Sequence, residues 1–577
     1  MSAKHDENPR TESDPRPSWS ARLAAPWTHP TLRVALLGSL LLILSFPLFD
    51  VWPLAWIAPV PWLWLARQRE LLGQRPYWAL YFAGLVFWMA IEYWLCLPHW
   101  ATSFGWLTLC AYHAPLPVVL VGFSRIARQR FGIGVLLAGP VLWTAFDEAR
   151  AYAFTGFSMG SLSHTQYRQP LLIQTADLWG EFGVTFLMVL FAAGIAAALP
   201  TRDDRRLRAM PLLASVATLA FMLGYGWWRL DAPPEAFAPG PKLALIQGSI
   251  DSEFKHDPSK VWRIYEEYMN LSRQAIAADP EVQLVVWPET MFPFPWMILR
   301  DDAQAPPEWE TSLDEIRERQ NNFRNAVITT ARDLDKPLLL GISTIIVEVD
   351  GTRGYNSALF VDRTGQAGVR YDKQHRVIFG EYVPLADWFP FLYKLTPLTG
   401  GTEAGDAAQV LEVGGAKLSP SICYETALAR VIRRQVLELR ARGAEPDVLV
   451  NVTNDGWFWG SAELDLHLAC GVFRAVELRK PLVVAANTGF SADIDSDGRI
   501  LAQGPRQATG FINAQVRLDR RQSVYLNWGD WLAGGCFIAT CLTGAYELML
   551  RRRVGPNPNG VSLQSPGSRY YAHPGDL

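Results

Sequence analysis

Ser419-Pro420-Ser421-Ile422-Cys423-Tyr424-Glu425 joins two kinds of sequence pattern. Residues 410–418 form an apolar run of strand type, and residues 426–440 form a charged run of helical type. Cys423 therefore falls on a strand-to-helix turn. Such a turn exposes a side chain and offers backbone N–H groups where an oxyanion can be held. Cysteine is a strong nucleophile at neutral pH once a base takes its proton. A lone cysteine is more often a small buried apolar residue, so the reading depends on other stretches. Val285-Val286-Trp287-Pro288-Glu289 is an apolar strand ending on a carboxylate, and Tyr371-Asp372-Lys373-Gln374-His375 places a lysine after another strand. Gly380-Glu381-Tyr382-Val383-Pro384 follows closely.

The chain order Glu (WPE), Lys (YDKQHRVIFGEYVPL) and Cys (SICYE) resembles the carbon–nitrogen hydrolase, or nitrilase, superfamily. Apolar segments before this region and one after it, with NVTNDGWF and RAVELRKPLVVAANTG, make the whole similar to the apolipoprotein N-acyltransferases. The resemblance covers residues 31–549. It implies an α-β-β-α sandwich carrying a catalytic Glu289–Lys373–Cys423 triad. It also implies a two-step reaction in which a phospholipid acylates Cys423 and the N-terminal amine of a diacylglyceryl-cysteine apolipoprotein accepts the acyl group. Glu381, by the same resemblance, helps position the lysine or the substrate, and Tyr424 and Glu425 are the pair following the nucleophile. Glu425 can equally cap the outgoing helix. Asn454, Asp455, Trp457 and Phe458 are expected to shape the pocket wall, although Asn454 and Asp455 also suit a turn.

Composition supports a membrane protein with an inserted soluble domain. Half of the 577 residues are hydrophobic and 19% are charged. The apolar residues cluster before position 230 and again near the C-terminus. A net charge of −3 gives no case for a nucleic-acid partner. The six cysteines show no CxxC or Cys/His spacing, so neither a metal centre nor a disulfide framework is expected, and no cofactor motif is present. A monomer is expected.

Taken in order, residues 1–30 read as a disordered cytoplasmic tail. Residues 31–230 read as a transmembrane domain of about seven helices, with apolar segments at 32–46, 52–65, 77–97, 104–122, 132–146, 183–199 and 210–228. Several are shorter than the ~20 residues that cross a bilayer. Residues 231–527 form the α/β catalytic domain, 528–549 an eighth span and 550–577 a second disordered cytoplasmic tail. Arginines follow every second span: Arg67, Arg69 and Arg75; Arg125, Arg128 and Arg130; Arg202, Arg205, Arg206 and Arg208; Arg551, Arg552 and Arg553. These sides are expected in the cytoplasm. The catalytic domain then lies in the periplasm of a bacterial inner membrane. Glu92, inside an apolar segment, has no assignable role.

Each triad group has a physical task. Cys423 attacks an ester carbonyl, Glu289 takes and returns the proton, and Lys373 steadies the oxyanion while favouring the thiolate and holding down the carboxylate pKa. A membrane-tethered amidase hydrolysing C–N bonds would use the same triad with water as acceptor. A transporter or binding module with an inactive enzyme domain would need none of the three. Two aromatic stretches, 291–299 and 388–393, contain prolines and do not alternate. They are expected to form apolar loops at the mouth of the site, facing the membrane.

Overall fold

The computed structural model describes residues 29–251, 257–306, 309–386, 388, 389, 391, 393 and 401–554. Its first half is helical: α1 Pro30–Ser45, α2 Val60–Arg67, α3 Pro76–Ile91, α4 Thr102–His113, α5 Leu116–Phe131, α6 Val135–Tyr152, α7 Pro170–Ile173, α8 Ala176–Ala198 and α9 Leu212–Leu230. By length and composition, Thr102–Phe131, Ala176–Ala198 and Trp531–Leu550 are long and apolar enough to cross a membrane, and α1 and α3 are shorter apolar helices. The apolar segment at 52–65 differs from a simple span. It divides into a 3-10 turn, Trp52–Trp56, and the eight-residue α2. Eight helical residues rise about 12 Å, well short of a bilayer core of about 30 Å. Pro53, Pro59 and Pro61 explain the division, since each removes a helical donor.

The soluble domain runs β1 Phe237–Gln247, α10 Val261–Ala278, β2 Leu284–Leu299, α11 Leu313–Leu334, β3 Leu338–Glu348, β4 Gly351–Val361, β5 Ala367–Asp372, β6 Leu411–Val413, β7 Ala416–Ile422, α12 Ala429–Ala441, β8 Val448–Thr453, α13 Glu463–Leu478, β9 Leu482–Ala486, β10 Ala492–Ile494, β11 Ile500–Gln503 and β12 Gly510–Asp519. The short α14 Val524–Trp528 and the long apolar α15 Trp531–Val554 follow. Two six-stranded sheets form, in the orders β12-β1-β2-β3-β4-β5 and β11-β10-β9-β8-β7-β6. The central pairs β1–β2, β2–β3, β7–β8 and β8–β9 are parallel. Alternate residues build separate layers, as a two-residue strand period requires. Leu243, Leu245, Leu284 and Val286 meet Leu418, Val450 and Val483 between the sheets. Ala244, Ile246, Val285 and Trp287 instead meet Ile264, Tyr268 and Val327 of the outer helices α10 and α11.

The other outer layer, α12 and α13, shares one continuous apolar cluster with the helices of the first half. Every residue of α13 except Asp465 is buried. A helix covered all round needs partners on both faces, and α13 has the second sheet on one side and α8 on the other. The order of layers is therefore helix, sheet, sheet, helix, membrane-type helices.

The aromatic stretch 291–299 does not form a loop at the mouth. It completes β2, paired with β3 through register shifts at Trp287/Phe292 and Phe292/Trp296. Those shifts accommodate Pro288, Pro293 and Pro295, which cannot donate to a ladder. Met291, Phe292 and Met297 are buried against the α10–α11 side. The second stretch behaves differently: Trp388 is 82% exposed, and Phe389 and Phe391 are also exposed. Asp387, Pro390 and Leu392 lie outside the described residues.

Candidate active site

The site lies where strand ends of both sheets meet. β7 delivers Cys423, which opens a 3-10 turn, Cys423–Ala427, before α12. Cys423 has φ +53°, a left-handed conformation that costs a non-glycine residue roughly 1–2 kcal/mol. Three donors hold its carbonyl: Asn451 Nδ2 at 3.2 Å, Thr426 Oγ1 at 3.1 Å and His467 Nε2 at 3.2 Å. Glu289 sits at the register break of β2, beside Thr290 at φ +52°. Gly341 of β3 lets this kink exist, because a Cβ there would lie 2.0 Å from the Pro288 carbonyl oxygen. Lys373 follows β5, and its amide donates to the Asn356 carbonyl at 2.8 Å.

The polar groups converge. Lys373 Nζ donates to Glu381 Oε1 at 2.8 Å and lies 3.6 Å from Glu289 Oε1. Asn356 Nδ2 bridges the two carboxylates, at 2.6 Å from Glu289 Oε1 and 3.1 Å from Glu381 Oε1. Glu289 Oε2 accepts from the Asn454 amide at 2.9 Å, and Glu381 Oε2 from the Val377 amide at 2.9 Å. Lys373 is 2% exposed and Glu289 8%, so every charge here needs these partners.

The electrostatics follow from that arrangement. Burial works against the Lys373 charge, but Glu381, Cys423 and Glu289 outweigh it and hold its pKa well above the usual lysine value. Burial opposes ionisation of Glu381 too, yet Lys373 and the Val377 and Asn356 bonds bring its pKa below the ordinary carboxylate value. Cys423 departs from expectation. Burial, then the Glu289 charge, push its thiol pKa well up, and Lys373 only partly opposes them. Cys423 therefore rests as a thiol, and an attack by its sulfur would need a base to act during that step. His375 is held neutral, its pKa lowered to about 4 by burial and by Arg430 and Lys373.

The supporting residues have separate places. Glu425 is fully buried and does not cap α12, whose N-cap is Leu428. Its Oε1 accepts from the Gln374 and His375 amides at 2.8 and 3.0 Å, its Oε2 from the Ile422 amide at 2.7 Å, and both from Tyr371 Oη. It thus ties the Lys373 loop to the Cys423 turn. Tyr424 points away from the triad, its Oη donating to the Gly156 carbonyl after α6 at 3.1 Å. The Asn454 amide donates to Glu289, and its side chain accepts from the Gly456 amide at 3.3 Å, closing a turn. Trp457 is 37% exposed on the adjoining 3-10 turn.

Sequence reasoning missed Asn356, Asn451 and His467. Asn356 lies inside a strand with no motif to mark it, and Asn451 opens the quoted NVTNDGWF stretch without being singled out there. His467 sits in an otherwise apolar helical run, a weak signal. Asp455, Glu463 and His467 place ligand-type atoms within 4.8 Å of one another. Both His467 nitrogens already face protein oxygens, so this cluster is described as an ion-pair group.

Comparison with known proteins shows the family. Residues 38–194 match the apolipoprotein N-acyltransferase N-terminal domain, and residues 242–525 match carbon-nitrogen hydrolase. An apolipoprotein N-acyltransferase of Geobacter metallireducens is 34% identical over 530 residues, covering 90% of this chain and 95% of that protein. One of Rhodopirellula baltica is 29% identical over 554 residues, covering 88% and 96%. One of Bradyrhizobium diazoefficiens is 31% identical over 460 residues, covering 78% and 80%. By domain content and by similarity along nearly its whole length, the chain belongs to the apolipoprotein N-acyltransferase family.

Proposed function

We propose that the chain N-acylates the N-terminal diacylglyceryl-cysteine of apolipoproteins, with a phospholipid as donor and a thioester on Cys423 as intermediate. The observation that carries this reading is the Lys373 ammonium set between Glu289 and Glu381, beside a thiol on a strand-end turn. In the first half-reaction Glu289 takes the thiol proton while sulfur attacks the ester carbonyl. Lys373 stabilises the oxyanion, and the lysophospholipid alkoxide leaves with the proton returned by Glu289. In the second, the lipoprotein amine attacks the thioester, Glu289 accepts a proton, and the thiol is restored as the amide departs.

The family name and the layer of membrane-type helices against α13 favour this reading over hydrolysis of a soluble amide. A lipid ester and a lipid-anchored amine both reside in a bilayer. The proposed organisation is a cytoplasmic tail at 1–30, membrane domain at 31–230, periplasmic catalytic domain at 231–527, span at 528–549 and cytoplasmic tail at 550–577. The enzyme works as a monomer in the inner membrane.

Incubation with phospholipid should add one acyl mass to Cys423, and Cys423→Ala should abolish both that adduct and transfer to lipoprotein. Wild-type transfer by Cys423→Ala would overturn the mechanism. A reporter joined after Arg206 should behave as cytoplasmic and one joined at 231–241 as periplasmic. The reverse would overturn the orientation.

A further inference from the structure

Behind Cys423, on the side away from Lys373, lies an imidazole that the proposed reaction does not use. His467 is on α13 and is 6% exposed. Its Nε2 faces the Cys423 carbonyl at 3.2 Å and Thr426 Oγ1 at 2.9 Å. The Cys423 carbonyl can only accept, and when the Thr426 hydroxyl gives its proton to that same carbonyl, at 3.1 Å, it too is an acceptor toward His467. On the other side of the ring, Nδ1 faces Asp455 Oδ1 at 3.1 Å, with Glu463 Oε1 at 3.9 Å. Asp455 Oδ1 also accepts from Thr453 Oγ1 at 2.8 Å. Both ring nitrogens thus meet acceptors. A neutral imidazole has one donor and one lone pair, and either tautomer would set that lone pair against an oxygen.

We propose that His467 is a doubly protonated positioning residue, held by Asp455, whose Nε2–H fixes the Cys423 carbonyl and so keeps the nucleophile in its left-handed backbone conformation. This deepens the reading of Cys423 as nucleophile and rests on it. The left-handed turn costs free energy and persists only where surrounding bonds over-determine it. Asn451 and Thr426 supply two neutral bonds, and an imidazolium supplies a charge-assisted third, about twice as strong as a neutral one. When the ring loses its proton, Asp455 retains the Nδ1–H. The Nε2 lone pair then opposes the Cys423 carbonyl, and the turn loosens.

The groups facing the ring are Asp455 from the turn after β8, Glu463 on α13 itself, Cys423 and Thr426 from the 3-10 turn and, at longer range, Glu289 of β2. Burial favours the neutral ring, but Asp455, the Cys423 carbonyl and Glu289 outweigh it, and its pKa lies above the ordinary histidine value. A raised base is charged at low pH and loses its charge as pH rises through the folded value. The consequence is an alkaline limb in the rate of Cys423 acylation.

The test uses the full-length, detergent-solubilised enzyme and a short-chain p-nitrophenyl ester, reading the p-nitrophenol burst against pH. This substrate separates turn geometry from lipid binding. Wild type should show a burst with an alkaline decline. His467→Ala should slow the burst about 100-fold, the loss expected when a reacting group shifts by an ångström. His467→Gln, whose amide can still donate to the carbonyl, should stay within about tenfold of wild type, since one bond is weakened and not lost. It should also lack the alkaline decline. Asp455→Asn should move that decline to lower pH by about one unit or more, because the opposing charge is gone. Gln and Asn variants are nearly isosteric and keep the test valid where His467→Ala fails to fold. A His467→Gln profile that keeps the alkaline limb, or an Asp455→Asn limb that stays in place, overturns the proposal. With Cys423→Ala inactive, such a result removes only the role of His467. A burst that survives Cys423→Ala removes the nucleophile and this proposal together.

Discussion

Two buried charge clusters in this molecule contain the same parts, two carboxylates around one cation, and differ in how the cation is used. In the site, Lys373 bonds to Glu381 at 2.8 Å and stands off Glu289 at 3.6 Å. Between α8 and α13, the Arg474 guanidinium is fully spent. Its Nε donates to Glu477 Oε2 at 2.7 Å, and its Nη2 to Glu181 Oε2 at 2.9 Å and Glu477 Oε1 at 3.0 Å. Its Nη1 reaches the carbonyls of Thr426 and Ala427 at 3.3 and 3.4 Å, at the end of the nucleophile turn. Ammonium is a compact point charge on a flexible stem, whereas guanidinium is a rigid fork. The lysine can re-aim at an oxyanion as it forms. The arginine cannot, and instead locks the membrane-type helix α8 to the turn that carries Cys423.

The largest effect should come from removing the cation that is free to move. Lys373→Met should cut formation of the Cys423 acyl-enzyme about 10³-fold, the upper end for a single oxyanion-stabilising group. Mass spectrometry of the intermediate reads this directly. An acylation rate within tenfold of wild type would mean that the oxyanion is held elsewhere.

Removing the locked cation should be read in stability. Arg474→Met leaves Glu477 buried without its cation and Glu181 with only His164, at 2.7 Å, a loss of about 3–5 kcal/mol for a broken buried pair. The unfolding midpoint in detergent should fall, and adding Glu477→Gln should recover part of it. The cluster also predicts a pH dependence. Burial, then the Glu181 charge, outweigh Arg474 and push the Glu477 carboxyl up to about 8. A carboxyl raised in the folded state favours folding fully below its unfolded pKa, and that contribution is lost as pH rises. Stability should therefore decline between roughly pH 4.5 and 8 and flatten in the Glu477→Gln variant. An unchanged midpoint for Arg474→Met would remove the contrast between the clusters.

The same contrast explains what could be read before folding. The Glu, Lys and Cys stretches were legible because each closes an apolar run of strand type; Lys373 and Cys423 do follow strand ends, whereas Glu289 lies at the register break inside β2. Glu381 was legible for its nearness to Lys373 in the chain. His467, Asn356 and Asn451 were not, because their partners lie 44, 67 and 28 positions away and only the two-sheet topology unites them. Residues 291–299 misled for the opposite reason. Their prolines and unbroken aromatic content argue locally against a strand, yet β3 offers a partner along the whole length and register shifts absorb the prolines. In α13, the apolar run carrying Arg474, Glu477 and His467 became interpretable only once both faces were seen to be covered.

A smaller effect separates the two aromatic stretches. Trp388 and Phe391 are exposed, whereas Phe292 is 2% exposed in the outer core. Trp388→Ser with Phe391→Ser should slow acylation of Cys423 by long-chain phospholipid about tenfold, one or two apolar contacts' worth, and leave the short-ester burst unchanged. Phe292→Ser should instead lose about 3–5 kcal/mol of stability with no chain-length preference. Equal losses on both substrates in the Trp388 and Phe391 variant would place those residues in the core as well.

The smallest effect tests whether enclosure, and not ion pairing as such, gives the Arg474 cluster its weight. Arg130 on α5 pairs with Glu547 on α15, Nε to Oε2 at 2.9 Å, within the 2.7–3.0 Å that Arg474 makes to its carboxylates. It too joins a helix of the first half to an element far along the chain. The arginine side chain, however, is 45% exposed. Glu547, at 10%, is the more enclosed partner, but water reaches the guanidinium and salt screens the pair, so less is gained by pairing than inside the closed cluster. Arg130→Gln should accordingly lower the unfolding midpoint by less than Arg474→Met does and leave the acylation rate at its wild-type value. If Arg130→Gln lowered the midpoint as far as Arg474→Met, distance alone would govern the strength of these pairs, and burial of the Arg474 cluster would no longer explain why it is the firmer joint.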